Sequence, residues 1–261
     1  MKHVLLAIAA HCQPEVLKYT LGTWLETYDG SYKATVCVSL ASDFELVCER
    51  ADEILQMGTH LDIIRVPTYQ PTGPIAELLK YSFIHANCVK NILQHCQNIP
   101  FTHVAILDND LEFKTDFIKW SLDQNADLVM NLFDDRHWLL LSGNRWPLSW
   151  APKCSVWNTL LSRKLYDRIM KNPDVIFPAL AFNHLIYDTM AQVFEYATEI
   201  WNMDVRIHSS EDMERVVKHL WSLSFEYGTR TPEYAQKFEQ LKQTYDNRFP
   251  NGIDHLMNVK L

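Results

Sequence analysis

Two aspartates one residue apart, Asp108 and Asp110, are the side chains of this sequence best suited to hold a divalent cation. They directly follow Val104 to Leu107, an apolar run of the kind that forms a buried strand. Magnesium and manganese prefer carboxylate oxygens, and in sites for phosphorylated substrates one or two carboxylates bind the ion together with phosphate oxygens. Because Asp and Asn also favour turns and helix caps, the triplet by itself leaves a purely structural role open.

A second acidic pair, Glu211 and Asp212, follows His208-Ser-Ser farther along the chain. A carboxylate close to a second acid can have its pKa raised toward working pH, and it can then act as the general base for an acceptor hydroxyl. The competing interpretation is the start of a helix, where a serine caps the free N–H groups and acidic residues favour the positive end of the dipole. The residues alone leave both interpretations open.

The composition is that of an ordinary globular protein with one core, with 261 residues of which 48% are hydrophobic and 21% charged. The formal net charge is −8, and the chain contains no run of Lys and Arg. This balance disfavours nucleic acid as a partner, because binding to a phosphate backbone calls for a basic face. The same acidity implies that a phosphorylated substrate needs a bridging cation, which agrees with a metal at the aspartate pair.

Short apolar runs alternate with helical patterns through the first half of the chain. Strands are predicted at 4–10, 34–40, 61–66, 103–107 and 127–132, and helices at 14–25, 44–57, 75–97 and 114–122. This alternation predicts a mostly parallel sheet with helices on both faces. Ligands of such sheets bind beyond the carboxyl ends of the strands, where His11, Asp43 and Asp108 are expected to lie.

The second half of the chain is less regular, with a strand predicted at 154–160 and helices at 163–170, 211–220 and 232–245. Residues 134–154 show no clean period and include Trp138, Trp146 and Trp150. Aromatic rings stack on the apolar faces of sugars, so this segment is either an acceptor-binding loop or a cover for the core.

The six cysteines form neither a C-x-x-C pair nor a zinc-binding spacing. We therefore expect reduced, buried thiols that act as small hydrophobic groups in a cytoplasmic protein. The apolar run from Val4 to Ala10 is followed by no clear cleavage site, and we interpret it as the first strand of the sheet. No segment approaches the roughly 18 apolar residues of a membrane span, so no transmembrane segment is predicted.

The stretch from Val4 to Tyr28 resembles the first strand, the proline-bearing turn and the first helix of the family-2 glycosyltransferases. Asp43, Asp108-Asn109-Asp110 and Glu211-Asp212, in this order, are similar to the successive motifs of that family, and the likeness covers roughly residues 3 to 220. One departure is the end of the second strand, which reads Ser39-Leu-Ala-Ser-Asp43 instead of an acidic residue followed by Gly-Ser.

The resemblance implies an α/β protein with the GT-A fold, which is a Rossmann-like, mostly parallel sheet flanked by helices. It also implies a helical C-terminal extension. The catalytic domain is expected to span 1–225, and the helix and tail of 226–261 are expected to pack on the site or close over it.

The resemblance further implies which residues bind the nucleotide-sugar donor. Asp43 and His11 would seat the nucleoside, and Asp108 with Asn109 would meet the ribose. Asp108 and Asp110 would hold a divalent metal, Mn²⁺ or Mg²⁺, against the diphosphate.

The same comparison suggests a further metal ligand and the catalytic base. Some GT-A enzymes close a C-terminal histidine over the metal, which makes His255 a candidate ligand, with His208 as its rival. Glu211 and Asp212 match a downstream acidic pair whose aspartate is the catalytic base in inverting members.

The activity that the resemblance implies is transfer of a sugar from a UDP- or GDP-sugar to a hydroxyl of a carbohydrate or other acceptor, with inversion. The alternatives are a retaining transferase of the same fold, a nucleotidyltransferase that makes nucleotide sugars, and a non-catalytic carbohydrate-binding domain. Nucleotidyltransferases usually carry a Gly-rich basic loop after the first strand, which His11-Cys-Gln-Pro14 does not provide.

Overall fold

The computed structural model describes residues 1–10, 13–41, 50–72, 79–132, 149–150, 154–180, 185–187, 189–220 and 232–261. In chain order the strands and α-helices are β1 (His3–Ala10), α1 (Pro14–Thr27), β2 (Lys33–Ala41), α2 (Ala51–Gln56), β3 (Asp62–Val66), α3 (Lys80–His95), β4 (His103–Asp108), β5 (Leu111–Phe113), α4 (Phe117–Asp123), β6 (Leu128–Leu132), β7 (Ser149–Trp150), β8 (Cys154–Ser162), α5 (Arg163–Lys171), β9 (Ala179–Leu180), β10 (Leu185–Tyr187), α6 (Ala191–Glu195), β11 (Val205–His208), α7 (Ser210–Glu214), β12 (Val217–His219), α8 (Pro232–Arg248) and α9 (Asp254–Lys260). Short 3₁₀ helices occupy Met57–Thr59, Cys96–Asn98 and Pro173–Ile176, and a π-helical segment occupies Tyr196–Ile200.

The strands of the described ranges form a central seven-stranded sheet in the spatial order β11-β6-β8-β4-β1-β2-β3. Every neighbouring pair is parallel except the two pairs of β8, which runs antiparallel to β4 and β6. A smaller sheet orders β7-β10-β9, and β5 pairs with β12. The predicted fold class of a mostly parallel α/β sheet flanked by helices is therefore confirmed.

The core lies on both faces of the central sheet, which explains why its inner strands read as unbroken apolar runs. On β1, Val4, Leu6 and Ile8 pack into the cluster that includes α1, while Leu5 and Ala7 point to the cluster of α3 and α5. Since successive side chains of a strand point to opposite faces, a strand covered on both sides needs apolar residues at every position.

The two C-terminal helices pack against α1, so the helical C-terminal extension is confirmed. Phe249 lies edge-on to Tyr19, with ring centroids 6.4 Å apart. The Lys260 ammonium donates to the carbonyl oxygens of Leu25 and Tyr28 at 2.6 and 2.8 Å, which satisfies the end of α1.

Arg248, at the end of α8, joins the extension to two other elements. Its guanidinium lies 2.7 Å from Glu26 on α1 and 3.3 Å from Glu112 on β5. Tyr19 donates to Glu112 at 3.0 Å, and burial together with the Glu112 charge raises the pKa of that phenol to about 12.

Two predicted helices have different bounds in the structure. The helix expected at 114–122 begins at Phe117, because Asp116 is its N-cap and accepts from the Lys119 N–H. The helix expected at 211–220 is wrong in its second half. There α7 ends at Glu214, and Val217–His219 form strand β12 instead.

Several predictions fall partly or wholly outside the described residues. These are the start of the helix at 44–57, the start of the helix at 75–97 and most of the tryptophan-bearing segment at 134–154. Within the described ranges, no helix combines the length and apolar character needed to cross a membrane.

Replacing Gly22 by alanine is expected to lower the free energy of unfolding by roughly 1–3 kcal/mol, although alanine normally favours a helix. The added methyl group would stand 2.6 Å from a ring carbon of Phe249 and 2.9 Å from Ile253. Since the Phe249 ring is held in the interface with α1, the C-terminal helices would have to shift to relieve this clash. Urea unfolding followed by circular dichroism measures the change.

Gly58→Ala is the matched control, because a methyl group there meets only Ile63, at 3.9 Å. Its expected effect lies within about 0.5 kcal/mol of zero or is slightly stabilising. Equal destabilisation by the two substitutions would contradict the close packing assigned to Gly22.

Candidate functional site

The triplet Asp108-Asn109-Asp110 lies where β4 reaches the carboxyl edge of the parallel sheet. All three residues are buried, with 7% of Asp108 exposed and none of Asn109 or Asp110. Surface turns are normally solvated, and burying a charge is costly unless it is paired. The burial of two neighbouring carboxylates therefore argues for a site that binds positive charge rather than for an ordinary turn.

Hydroxyl groups of α1 hold the backbone of this triplet in place. The Thr20 hydroxyl donates to the Asn109 carbonyl at 2.8 Å and accepts from the Leu111 N–H at 2.9 Å. The Thr23 hydroxyl accepts from the Phe113 N–H at 3.1 Å. Both threonines are buried, so the turn is tied to α1 by hydrogen bonds that water does not compete for.

Strand β12 brings a histidine to the triplet. Its antiparallel pairing with β5 places His219 opposite Leu111, and the Leu220 N–H donates to the Asp110 carbonyl at 2.8 Å. At the other end of the ladder, the Lys114 N–H donates to the Val216 carbonyl at 2.9 Å. The register of this short ladder therefore decides which side chain faces the two aspartates.

The three side chains form a compact set of ligand atoms. His219 Nε2 lies 3.3 Å from Asp108 Oδ2 and 3.3 Å from Asp110 Oδ1, and the three groups each offer one atom within 4.8 Å of the others. Two carboxylate oxygens and one imidazole nitrogen suit a divalent cation such as Mg²⁺ or Mn²⁺. The donor set therefore fits a divalent metal at this position.

A second histidine, His85 on α3, approaches Asp108 from another element. Its Nε2 lies 3.5 Å from Asp108 Oδ1, and 13% of its side chain is exposed. Asp108 is thus contacted by imidazoles from two sides, His219 at Oδ2 and His85 at Oδ1. Both carboxylate oxygens of Asp108 therefore face an imidazole.

The electrostatics of His219 reflect the two aspartates. Burial lowers its pKa, but the Asp110 charge and the hydrogen bond and charge of Asp108 outweigh burial, so that the pKa is raised above its ordinary value. The imidazole consequently tends to carry a proton, and a positive charge, where a metal ion would otherwise neutralise the pair.

The structure places the other acidic pair, Glu211 and Asp212, at the exposed start of α7. Their side chains are 82% and 52% exposed, and both contact Arg215, at 2.8 and 3.9 Å. The Ser209 hydroxyl accepts from the Asp212 N–H at 3.1 Å and donates to its carboxylate at 2.8 Å, which is a capping arrangement. The chain then leads directly into β12, so that Asp212 lies seven residues before His219.

The two histidines predicted as metal ligands lie elsewhere. His208 ends β11 and packs against Trp120 with ring centroids 4.3 Å apart, and burial lowers its pKa although the Asp212 charge opposes the shift. His255 is exposed on α9, the helix that packs on α1. Neither contributes to the cluster of Asp108, Asp110 and His219.

The predicted nucleoside-binding residues and the tryptophans lie wholly or largely outside the described residues. His11, Asp43, Trp138 and Trp146 lie outside the described residues, and Trp150 is described only as part of β7.

His219 and His85 are the residues that sequence reasoning missed. The buried, exposed, buried pattern of Val217, Lys218 and His219 is that of a strand. In the sequence, however, three residues soon after a short helix carry too weak a signal to distinguish a strand from a continuing helix. His85 lies inside a predicted helix, where sequence gives no indication of what it faces.

No protein-family model matches the chain. No curated protein matches it either. Among solved structures, the chain is similar to a nucleoside-diphosphate-sugar pyrophosphorylase from Vibrio cholerae RC9, with 12% identity and a TM-score of 0.48 over 91% of this chain and 99% of that one.

It is also similar to glucosyl-3-phosphoglycerate synthase from Mycobacterium tuberculosis in complex with Mg²⁺ and UDP, with 12% identity and a TM-score of 0.43 over 95% of this chain and 79% of that one. Mouse xyloside xylosyltransferase 1 gives 12% identity and a TM-score of 0.41 over 79% and 84%. These structural neighbours are nucleotide-sugar transferases and pyrophosphorylases.

The raised pKa of His219 predicts how stability depends on pH in metal-free protein. The contribution of this group is fully present below its unfolded pKa of about 6.5 and is lost as pH rises through the higher folded value. In the presence of a chelator, the free energy of unfolding should therefore fall with rising pH above about 6.5, and His219→Gln should remove that fall.

Urea unfolding across this pH range makes the measurement, with the exposed His255→Gln as the matched control. The control should keep the pH slope of the natural chain. An unchanged slope in His219→Gln would show that the imidazole is not coupled to the buried carboxylates.

Proposed function

We propose that this protein is a metal-dependent glycosyltransferase that moves a sugar from a nucleoside diphosphate donor to an acceptor hydroxyl, with inversion. The observation that carries the proposal is the buried cluster of Asp108, Asp110 and His219 at the carboxyl edge of the sheet. Such an edge is where α/β proteins of this class bind ligands, and this cluster offers the ligand types that a diphosphate-bound cation needs.

Charge explains why a cation belongs in the proposed reaction. The chain carries a formal net charge of −8, and its best-placed site groups include two carboxylates, which would repel a diphosphate. Asp108, Asp110 and His219 would hold the ion, which would neutralise the diphosphate leaving group as the sugar departs. Mn²⁺ and Mg²⁺ both suit this donor set.

Residues of this chain position the groups that would bind the metal and the donor. Thr20 and Thr23 fix the backbone that carries the two aspartates, and the His85 imidazole lies 3.5 Å from the Asp108 carboxylate. Asn109 is wholly buried, so its contribution to donor binding would be made through this fixed turn. The proposed roles of His11 and Asp43 in seating the nucleoside follow from the family resemblance.

Asp212 is the proposed general base. Its carboxylate would take the proton of the acceptor hydroxyl while the anomeric carbon passes through an oxocarbenium-like state. The exposure of Asp212 leaves it accessible to an acceptor from solvent, and the short link to β12 keeps it on the chain segment that ends at His219. Glu211 would support this role as the neighbouring acid.

Thermal shift measures donor binding with a panel of UDP- and GDP-sugars, each tested with and without Mn²⁺. A ligand at about 100 times its Kd stabilises the native state by about 2.7 kcal/mol, so a true donor should give a clear shift that needs the metal. Asp110→Asn should abolish the metal-dependent shift, while Asp123→Asn, an exposed aspartate on α4, should preserve it.

The product distinguishes the proposed function from its alternatives. Metal-dependent release of nucleoside diphosphate with sugar transfer supports a glycosyltransferase, whereas pyrophosphate from a nucleoside triphosphate and a sugar phosphate identifies a nucleotidyltransferase. Absence of metal-dependent donor binding would favour a non-catalytic carbohydrate-binding domain. The anomeric configuration of the product, read by NMR, separates inversion from retention.

Asp212→Asn tests the base directly. The substitution keeps the backbone N–H that bonds to Ser209, so α7 should stay capped and donor binding should be unchanged. Turnover should fall by about 100-fold or more, the order expected when a general base is lost.

Glu214→Gln on the same exposed helix is the matched control and should retain full turnover. If Asp212→Asn keeps near-full activity, another group removes the proton and the assignment of the base is wrong.

A further inference from the structure

A second cluster of metal-binding side chains lies away from the aspartate triplet. It combines Cys37 on β2, Asp62 at the start of β3 and His95 at the end of α3. One ligand atom from each lies within 4.8 Å of the others, and His95 Nε2 is 2.8 Å from Asp62 Oδ2. The sequence spacing gives no hint of this group, because its members come from three different elements.

The β-α-β connectivity explains how the three side chains meet. Parallel pairing of β2 and β3 puts Cys37 opposite Asp62, and α3 crosses the same two strands before it ends at His95. His85 and His95 are ten residues apart on this helix, which corresponds to about 15 Å along its axis. The two histidines therefore lie in different clusters, His85 beside Asp108 and His95 beside Asp62.

The three side chains of the second cluster differ in their burial. Cys37 is fully buried, whereas the side chains of Asp62 and His95 are 39% and 44% exposed. Solvent therefore reaches the carboxylate and the imidazole, whereas the sulfur is shielded from it.

The chemistry of these ligands selects the metal. A cysteine sulfur and an imidazole nitrogen suit zinc, whereas Mg²⁺ and Mn²⁺ prefer the oxygen-rich set of Asp108 and Asp110. We propose that Cys37, Asp62 and His95 form a zinc site, in which solvent completes a tetrahedral coordination. On binding, the Cys37 thiol releases its proton to solvent and ligates as the thiolate.

A catalytic cysteine is the main competing interpretation of a Cys-His-Asp group. The pKa of Cys37 is raised well above its ordinary value, by its hydrogen bond with Cys96 and by burial. A reactive cysteine needs a lowered pKa and access to its substrate, and Cys37 has neither. A metal ion differs from a substrate in this respect, because its own positive charge stabilises the thiolate that ligates it.

Bound zinc would join the end of α3 to β2 and β3. The ion pair of Asp62 and His95 alone is partly exposed and contributes little to stability, while a metal ligated by all three groups stabilises the fold that brings them together. This structural role is independent of the proposed glycosyl transfer and does not require it.

Cobalt substitution tests the zinc site in the 261-residue chain after metal removal by a chelator. Co²⁺ ligated by a thiolate gives a charge-transfer absorption in the near ultraviolet, and the oxygen and nitrogen ligands of the aspartate cluster cannot give this band. The natural chain should show the band at one equivalent per chain, and Zn²⁺ should displace it. Asp110→Asn should leave the band intact, which separates this site from the first.

Three variants examine the ligands one by one. Cys37→Ser should lose the band, while Cys88→Ser, which alters another buried cysteine, should keep it. Asp62→Asn and His95→Gln change partly exposed groups and should fold normally, and each should weaken Zn²⁺ affinity by at least about tenfold.

The proposal is overturned if Co²⁺ gives no thiolate band with the natural chain, or if the band survives in Cys37→Ser. Unchanged Zn²⁺ affinity in both Asp62→Asn and His95→Gln would equally reject it. These two variants keep the question decidable if the core substitution at Cys37 prevents folding.

Discussion

Two carboxylates buried side by side cannot both keep their charge without a positive partner, and this constraint organises the centre of the structure. Asp108 and Asp110 lie at the end of β4 with almost no exposure to water. Leaving such charges unpaired costs several kcal/mol each, so the fold supplies imidazoles and a geometry in which a divalent cation fits. The charges of the two aspartates raise the pKa of His219 against the effect of its burial.

Helix α1 is the element through which the rest of the chain supports that site. On one side, the hydroxyls of Thr20 and Thr23 hold the turn that carries the aspartates. On another side, Gly22 leaves room for Phe249 and Ile253, so that the C-terminal helices seat directly on the helix. Arg248 adds a link from α8 to Glu112, in the strand that immediately follows the triplet. The extension therefore supports the site through α1 and β5.

Much of the fold could be predicted from the sequence because the signals are local. The strand that ends at Asp108 and the helix that begins at Pro14 follow from residue types within a few positions of one another. The prediction failed at 211–220, where a short helix is followed by a strand of three residues. That strand is stabilised by its pairing with β5, about a hundred residues earlier in the chain, and a local pattern carries no information about such a partner.

The sequence by itself determined the alternating α/β organisation and the acidic pair at a strand end. The tertiary structure decided which histidines meet those acids, since His219 arrives by the register of a ladder and His85 by the packing of α3. It also brought Cys37, Asp62 and His95 together, although no spacing in the chain suggests a metal site. The physical reason is that strands and helices form from near neighbours, whereas ligand sets depend on pairing and packing between distant segments.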